Sequence, residues 1–157
     1  MPDTAGAVER CGAAVYRLAY AMARSRCDAD DIFQEVFLRC HRSAPPFATP
    51  EHEKAWLLRV AVNGCKSRLR SPWRRLRSPL LESFPAATAE EVGVLEAVQA
   101  LPAKDRAAIH LFYYEGYQAA EIGQILGLPT ATVHTRLARG RAKLRELLGG
   151  YGYEQTV

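Results

Sequence analysis

The sequence predicts an all-α protein of two small helical domains joined by a flexible linker, the second domain containing a helix-turn-helix. Three observations carry that prediction. Apolar residues recur three and four apart along most of the chain, a spacing that gathers them on one face of a helix. No segment alternates apolar and polar residues over the length of a strand, and β-branched residues are sparse. The stretch Ser71 to Ala89 carries three prolines and three serines with little periodicity, and the chain on either side reads as helix. The expected division is a first domain over 1–70, a linker over 71–92 and a second domain over 93–157, and 157 residues give room for two such units.

The elements follow in order. Val15, Leu18, Ala19 and Met22 mark the first apolar stripe. Ile32, Phe33, Val36, Phe37 and Cys40 mark the second, with Asp28 as the expected N-cap. Pro45 to Pro50 predict a loop. Trp56, Leu57, Val60, Ala61 and Gly64 form a third stripe on a helix that runs on into Lys66, Arg68 and Arg70. Beyond the linker, Val94, Leu95 and Val98 lead to Leu101-Pro102. A helix over 103–114 is expected to turn Ile109, Phe112 and Tyr113 inward and to end at Glu115-Gly116. A short helix over 119–126 precedes Gly127-Leu128-Pro129. Gly127 suits the left-handed position after a helix, Pro129 blocks continuation, and Thr130 is expected to cap a last helix running to about Leu148.

Composition narrows the function classes. With 48% hydrophobic and 24% charged residues the chain resembles folded proteins, and no uncharged stretch reaches the length of a membrane helix. The opening Met-Pro-Asp-Thr-Ala-Gly lacks the basic start of a secretory signal, so the expected place is the cytoplasm, with no membrane insertion. Cys11, Cys27, Cys40 and Cys65 are widely spaced, which predicts reduced, mostly buried thiols and no metal site. The net charge of +4 is uneven. Residues 66–77 and 134–145 are rich in Lys and Arg without any acid, whereas 28–35 hold Asp28, Asp30, Asp31 and Glu35 without any base. Two basic zones suit polyanions and the acidic one suits a basic or polar partner.

The last helix carries the sharpest chemistry. Val133, Leu137, Leu144 and Leu148 share one face, and Ala131, His134, Thr135, Ala138 and Arg139 share the other. Small residues near the start let a helix approach base edges, and Thr135 and His134 offer donors. Arg139 can pair with guanine through two parallel hydrogen bonds. Arg136, Arg141 and Lys143 flank that face and suit phosphates.

Together these residues resemble a bacterial RNA polymerase sigma factor of the extracytoplasmic-function (ECF) type, from about Val15 to Leu148. Asp28-Ala29-Asp30-Asp31-Ile32-Phe33-Gln34-Glu35-Val36-Phe37 is similar to the family's polymerase-docking helix. Trp56-Leu57-Leu58-Arg59-Val60-Ala61-Val62-Asn63 is similar to the helix that melts and reads the edge of the minus-ten element. Leu101-Pro102 through Arg106, Tyr114-Glu115-Gly116-Tyr117, Glu121-Ile122-Gly123 and Thr132 through Arg141 follow its minus-thirty-five-binding domain. The resemblance implies core polymerase contacts at Asp28, Asp31, Gln34, Glu35 and Phe37. It implies minus-ten contacts at Phe47, Arg59, Asn63, Lys66, Arg68 and Arg70. It implies minus-thirty-five contacts at Thr130, Ala131, Thr132, His134, Thr135, Arg136, Ala138, Arg139 and Arg141. The implied partners are core RNA polymerase, promoter DNA and an anti-sigma protein. No cofactor and no catalytic residue are implied, because the polymerase performs the chemistry.

This chain departs from the family pattern at several positions. Gly123 and Gly140 stand where Ala is usual, which predicts a looser helix-turn-helix, since glycine within a helix costs about 1 kcal/mol relative to Ala. Ala131 replaces a usual Gly. His134 replaces a usual Lys or Arg, which predicts a weaker, pH-dependent contact. Ala138 is small where other members use bulk. Two other readings compete. A stand-alone helix-turn-helix regulator would bind duplex DNA without polymerase, and would have no use for the acidic 28–35 helix. A hydrolase or metal-dependent nuclease would use the Asp28, Asp30, Asp31 and Glu35 carboxylates, of which Asp28, Asp31 and Glu35 share a helix face, but no His or Lys sits within the motif to complete a catalytic set.

Overall fold

The computed structural model describes residues 3–23, 25–69 and 97–148. The expected linker over 71–92, Arg70 and the stripe residues Val94 and Leu95 lie outside them. The chain divides into two compact units, Met1–Leu81 and Glu82–Val157. Every element among the described residues is a helix, as the apolar spacing predicts.

The first unit contains α1 (Thr4–Ala23), α2 (Arg26–Ser43) and α3 (Pro50–Leu69), each packed on the other two. Val15, Leu18, Ala19 and Met22 are buried as expected, and the second half of α1 is covered on nearly all sides. The cap of α2 is Ser25 rather than Asp28: the Ser25 hydroxyl accepts from the Asp28 backbone N–H at 3.1 Å. Both residue types can cap, and the earlier one wins because it adds most of a turn of helix. Pro50 opens α3 at a position where its missing N–H costs nothing, and the Thr49 hydroxyl accepts from His52 N–H at 3.1 Å. The buried stripe of α3 is Leu57, Leu58, Ala61, Val62 and Cys65, rotated from the expected one, and Trp56, Val60 and Gly64 are only half-buried. The rotation follows from α3 packing against both α1 and α2, which widens its inward face beyond a single stripe. Arg10 and Glu53 tie α1 to α3 through two hydrogen bonds of 2.8 and 2.9 Å. The Cys11 thiol also donates to Glu53, at 3.8 Å. Cys11, Cys40 and Cys65 are buried and Cys27 is exposed.

The second unit contains α4 (Ala103–Tyr113), α5 (Ala119–Leu126) and α6 (Thr130–Leu148). The buried Arg106 donates to the carbonyls of Leu101 at 2.8 Å and Gln99 at 3.3 Å, fastening the turn that leads into α4. Ile109 is buried as expected, Phe112 is half-buried, and Tyr113 is 48% exposed. Tyr113 stays outside because Ala107, Ala108 and Leu111 already fill the inner side of so short a helix. His110 and Glu115 form a buried pair at 3.1 Å that holds the chain leaving α4. The Glu121 carboxylate accepts from Gln118 N–H at 2.9 Å and starts α5.

Gly123 and Gly140 are points of close approach rather than looseness. A Cβ on Gly123 would stand 2.6 Å from the Leu128 carbonyl oxygen, and one on Gly140 would stand 2.6 Å from Ile109 Cγ1. Bare backbone at both sites lets the Leu128 turn and α4 come closer than any side chain would allow.

Candidate partner and nucleic-acid interfaces

Three surfaces gather the residues singled out in the sequence. The first is the outward face of α2. Gln34 and Glu35 are exposed on it and Asp31 is half-buried. Asp28 is only 7% exposed and Phe37 only 6%. Phe37 packs against Phe33 with ring centroids 4.8 Å apart, so it is a core side chain and not the expected surface anchor. Leu38 is the exposed apolar side chain on this face, 51% exposed, at a shallow groove lined by Glu35, Leu38, Arg39, Arg42 and Ser43. Sequence reasoning missed Leu38, although it lies seven residues beyond Asp31, two helical turns along the same face.

The second surface lies where the loop over 44–49 meets α3. Phe47 is half-buried in a cluster with His52, at 5.4 Å, and Trp56, at 5.7 Å. The spacing Trp56, Arg59, Asn63, Lys66 continues one row along α3, with Arg59 and Asn63 exposed and Lys66 half-buried. An aromatic ring, a cation, an amide and a second cation thus follow one another over about three helical turns. The Arg68 side chain and Arg70 lie outside the described residues.

The third surface is built by α5, its turn and α6. Gly127 adopts φ 70° and ψ 40°, the left-handed conformation expected of it. Its N–H and that of Leu128, at 2.8 Å, both donate to the Gly123 carbonyl. Thr130 is the first residue of α6 rather than its cap, and the Pro129 carbonyl accepts from Thr132 at 3.0 Å and Val133 at 3.2 Å. Val133, Leu137 and Leu148 are buried, as the pattern predicts, and Leu144 is half-buried. Thr130, Ala131, His134, Thr135, Ala138 and Arg139 are exposed, while Thr132, Arg136 and Arg141 are half-buried. The Thr135 hydroxyl is not a free donor: it gives its proton to the Ala131 carbonyl at 3.1 Å, leaving its methyl and lone pairs facing outward. Arg141 leans toward the end of α4, donating to the Tyr113 hydroxyl at 3.4 Å with its guanidinium 6.0 Å from the Phe112 ring centre. Arg139 donates through Nη2 to Asp105 at 3.1 Å.

Among the described residues no three His, Cys, Asp or Glu side chains converge as a metal site requires, and no helix is long and apolar enough to cross a membrane.

The same two units carry the matches to known proteins. The profile of sigma-70 region 2 matches residues 7–75 and that of sigma-70, region 4 matches residues 92–144. The ECF RNA polymerase sigma factor SigM of Mycobacterium tuberculosis is 37% identical over 140 residues, covering 86% of this chain and 71% of the relative. The ECF sigma factor SigW of Bacillus subtilis is 32% identical over 154 residues, covering 85% and 82%. Among solved structures, the sigma factor RpoE in complex with the anti-sigma factor NepR from Bartonella quintana shares the fold at a TM-score of 0.78 and 21% identity, covering 95% of this chain and 98% of that one. CnrH in complex with the cytosolic domain of CnrY gives a TM-score of 0.69 at 26% identity, covering 95% and 89%.

Proposed function

The chain belongs to the ECF RNA polymerase sigma factors, which direct core polymerase to promoters, and from that membership we propose how its own residues divide the work. The first domain, over 1–70, docks on core polymerase through Gln34, Glu35 and Leu38, with Asp31 at the edge of the contact. An exposed apolar side chain among polar ones is how an interface helix commonly anchors itself. Asp28 and Phe37 support that surface from below. The same domain holds the minus-ten strand on Phe47, where an unstacked base can lie against the aromatic cluster. Arg59, Asn63, Lys66, Arg68 and Arg70 line its path, the cations neutralising phosphates. The linker over 71–92 connects this domain to the second.

The second domain, over 93–157, reads the minus-thirty-five duplex. The observation that carries the reading is the row Ala131, His134, Thr135, Ala138 at the exposed start of α6, directly behind the left-handed turn at Gly127. Small side chains let this end of the helix sit deep in the major groove. Thr135 contributes its methyl and lone pairs, and Arg139 contributes the guanine fork. Thr130, Thr132, Arg136 and Arg141 position the helix on phosphates. The protein works in the cytoplasm without a cofactor, and polymerase supplies the catalysis. An anti-sigma protein is its natural antagonist, as the two solved relatives, each bound to a partner, suggest. A stand-alone regulator needs no polymerase-docking face, so the exposed Gln34–Leu38 surface favours the sigma reading.

Co-elution with bacterial core RNA polymerase tests it. The natural chain is expected to co-elute at moderate salt and a Gln34→Ala/Glu35→Arg variant to lose much of that binding. A folded natural chain that binds duplex DNA but never polymerase would favour the regulator.

A further inference from the structure

We propose that Asp105, on α4 and outside the helix-turn-helix, is a positioning residue for Arg139 and thereby sets base discrimination at the minus-thirty-five element; the proposal rests on the reading of Arg139 as a base contact. The Arg139 side chain is 59% exposed, yet its Nη2 donates to Asp105 Oδ1 at 3.1 Å. The Asp105 side chain is only 7% exposed, so the acceptor is held by its surroundings and cannot follow the arginine outward. The bond joins residues 34 apart in sequence. It forms because Gly140, next to Arg139, has no side chain: a Cβ there would meet Ile109 at 2.6 Å and Asp105 Cβ at 3.8 Å. The bare backbone of α6 admits α4, and α4 brings the carboxylate.

Two consequences follow for DNA reading. A free arginine loses rotamer freedom when it pairs with a base, and a guanidinium tied at one nitrogen has lost much of it beforehand. The fork has five N–H donors, so donors remain for guanine O6 and N7. The carboxylate also offsets part of the arginine's charge. That weakens its pull on phosphates anywhere along a duplex while leaving the directional pairing intact, which raises discrimination. If Asp105 were only a staple between helices, its removal would act on stability alone, and half-exposed pairs of this kind contribute little.

The test uses full-length chain assembled with bacterial core RNA polymerase, and a promoter duplex library randomised across the minus-thirty-five element. Sequencing of bound duplexes reads the preference at each base pair, and thermal melting is followed in parallel. Arg139→Ala is expected to erase the preference at one or two base pairs. Asp105→Ala is expected to reduce the preference about tenfold at those same base pairs. Asp105→Asn, which keeps an acceptor in place, is expected to be intermediate, and serves if alanine loosens α4. The double variant is expected to match Arg139→Ala, and the affinity of Asp105→Ala for a duplex lacking the element is expected to hold or rise. An unchanged preference in Asp105→Ala overturns the proposal. So does a loss that persists in the Arg139→Ala background, or one spread over base pairs Arg139 does not affect. An unchanged preference in Arg139→Ala removes the base contact itself, and with it both readings.

Discussion

Replacing Gly123 by Ala sets two known effects against each other. In an open helix the substitution stabilises by about 1 kcal/mol, through backbone entropy. Here the new methyl would stand 2.6 Å from the Leu128 carbonyl oxygen, inside the 3.0 Å that real Cβ contacts keep. That oxygen is backbone and cannot rotate aside. Its residue is also anchored, because Leu128 N–H donates back to the Gly123 carbonyl at 2.8 Å. Relief therefore requires the whole α5–α6 turn to move, and overpacking of this kind costs about 1–3 kcal/mol. With the turn fastened as it is, the upper part of that range applies, and the net effect is a loss of about 1–2 kcal/mol after the helix gain is subtracted. For a unit of this size each kcal/mol moves the midpoint by about 4–8 °C, so Tm of the second unit should fall by roughly 5–15 °C. Circular dichroism at 222 nm follows the helices of both units. Both tryptophans, Trp56 and Trp73, fall in the first half of the sequence, so their fluorescence serves as an internal control and should not shift. A variant that melts at the natural temperature or above it would show that helix propensity outweighs the contact with Leu128 and that the turn gives way at little cost.

Further expectations concern the first unit. Phe37→Ala should behave as a core truncation, costing about 3–5 kcal/mol in urea unfolding. Leu38→Ala should change stability by no more than about 0.5 kcal/mol yet weaken binding in a titration against core polymerase; the opposite pattern would return Phe37 to the surface. The Glu53 carboxyl is held below its ordinary range by the Arg10 guanidinium, which outweighs the opposing effect of burial. A depressed carboxyl stabilises the fold above its unfolded value, near about 4.3, and that stability is lost as pH falls through the lower folded value. Urea midpoints measured from pH 7 down to pH 3 should therefore fall more steeply for the natural chain than for Glu53→Gln, and parallel curves would remove Glu53 from the acid response.

The helices of this protein are largely legible in its sequence, because amphipathic periodicity is a local property. Val15, Leu18, Ala19 and Met22 declare the core of α1 by spacing alone. Gly127 declares the turn because few other residues adopt φ 70° at so little cost. What periodicity misses is the width of a buried face. Leu58, Val62 and Cys65 are buried because α3 touches two helices. On α2 the periodicity places Phe37 correctly on the buried stripe, and it is the surface contact implied by the resemblance that its burial excludes. Long-range partners are hidden altogether. Nothing near Arg139 in the sequence points to Asp105, and nothing in α1 points to Glu53. The glycines illustrate the same limit. Locally they read as weak points, and only the neighbours at 2.6 Å show them to be contact points.

As a sigma factor, this chain should give core polymerase a promoter preference through two domains acting together. Transcription by bacterial core RNA polymerase on a fragmented genomic DNA template, with and without the chain and with start sites mapped, measures that preference. New start sites are expected that appear only with the chain and share two upstream elements at fixed spacing. Substituting His134, Thr135 and Arg139 together is expected to remove the dependence on the upstream element while the site nearer the start still matters. Start sites identical with and without the chain would rule out that preference, and sites indifferent to those three substitutions would rule out a part for α6 in it.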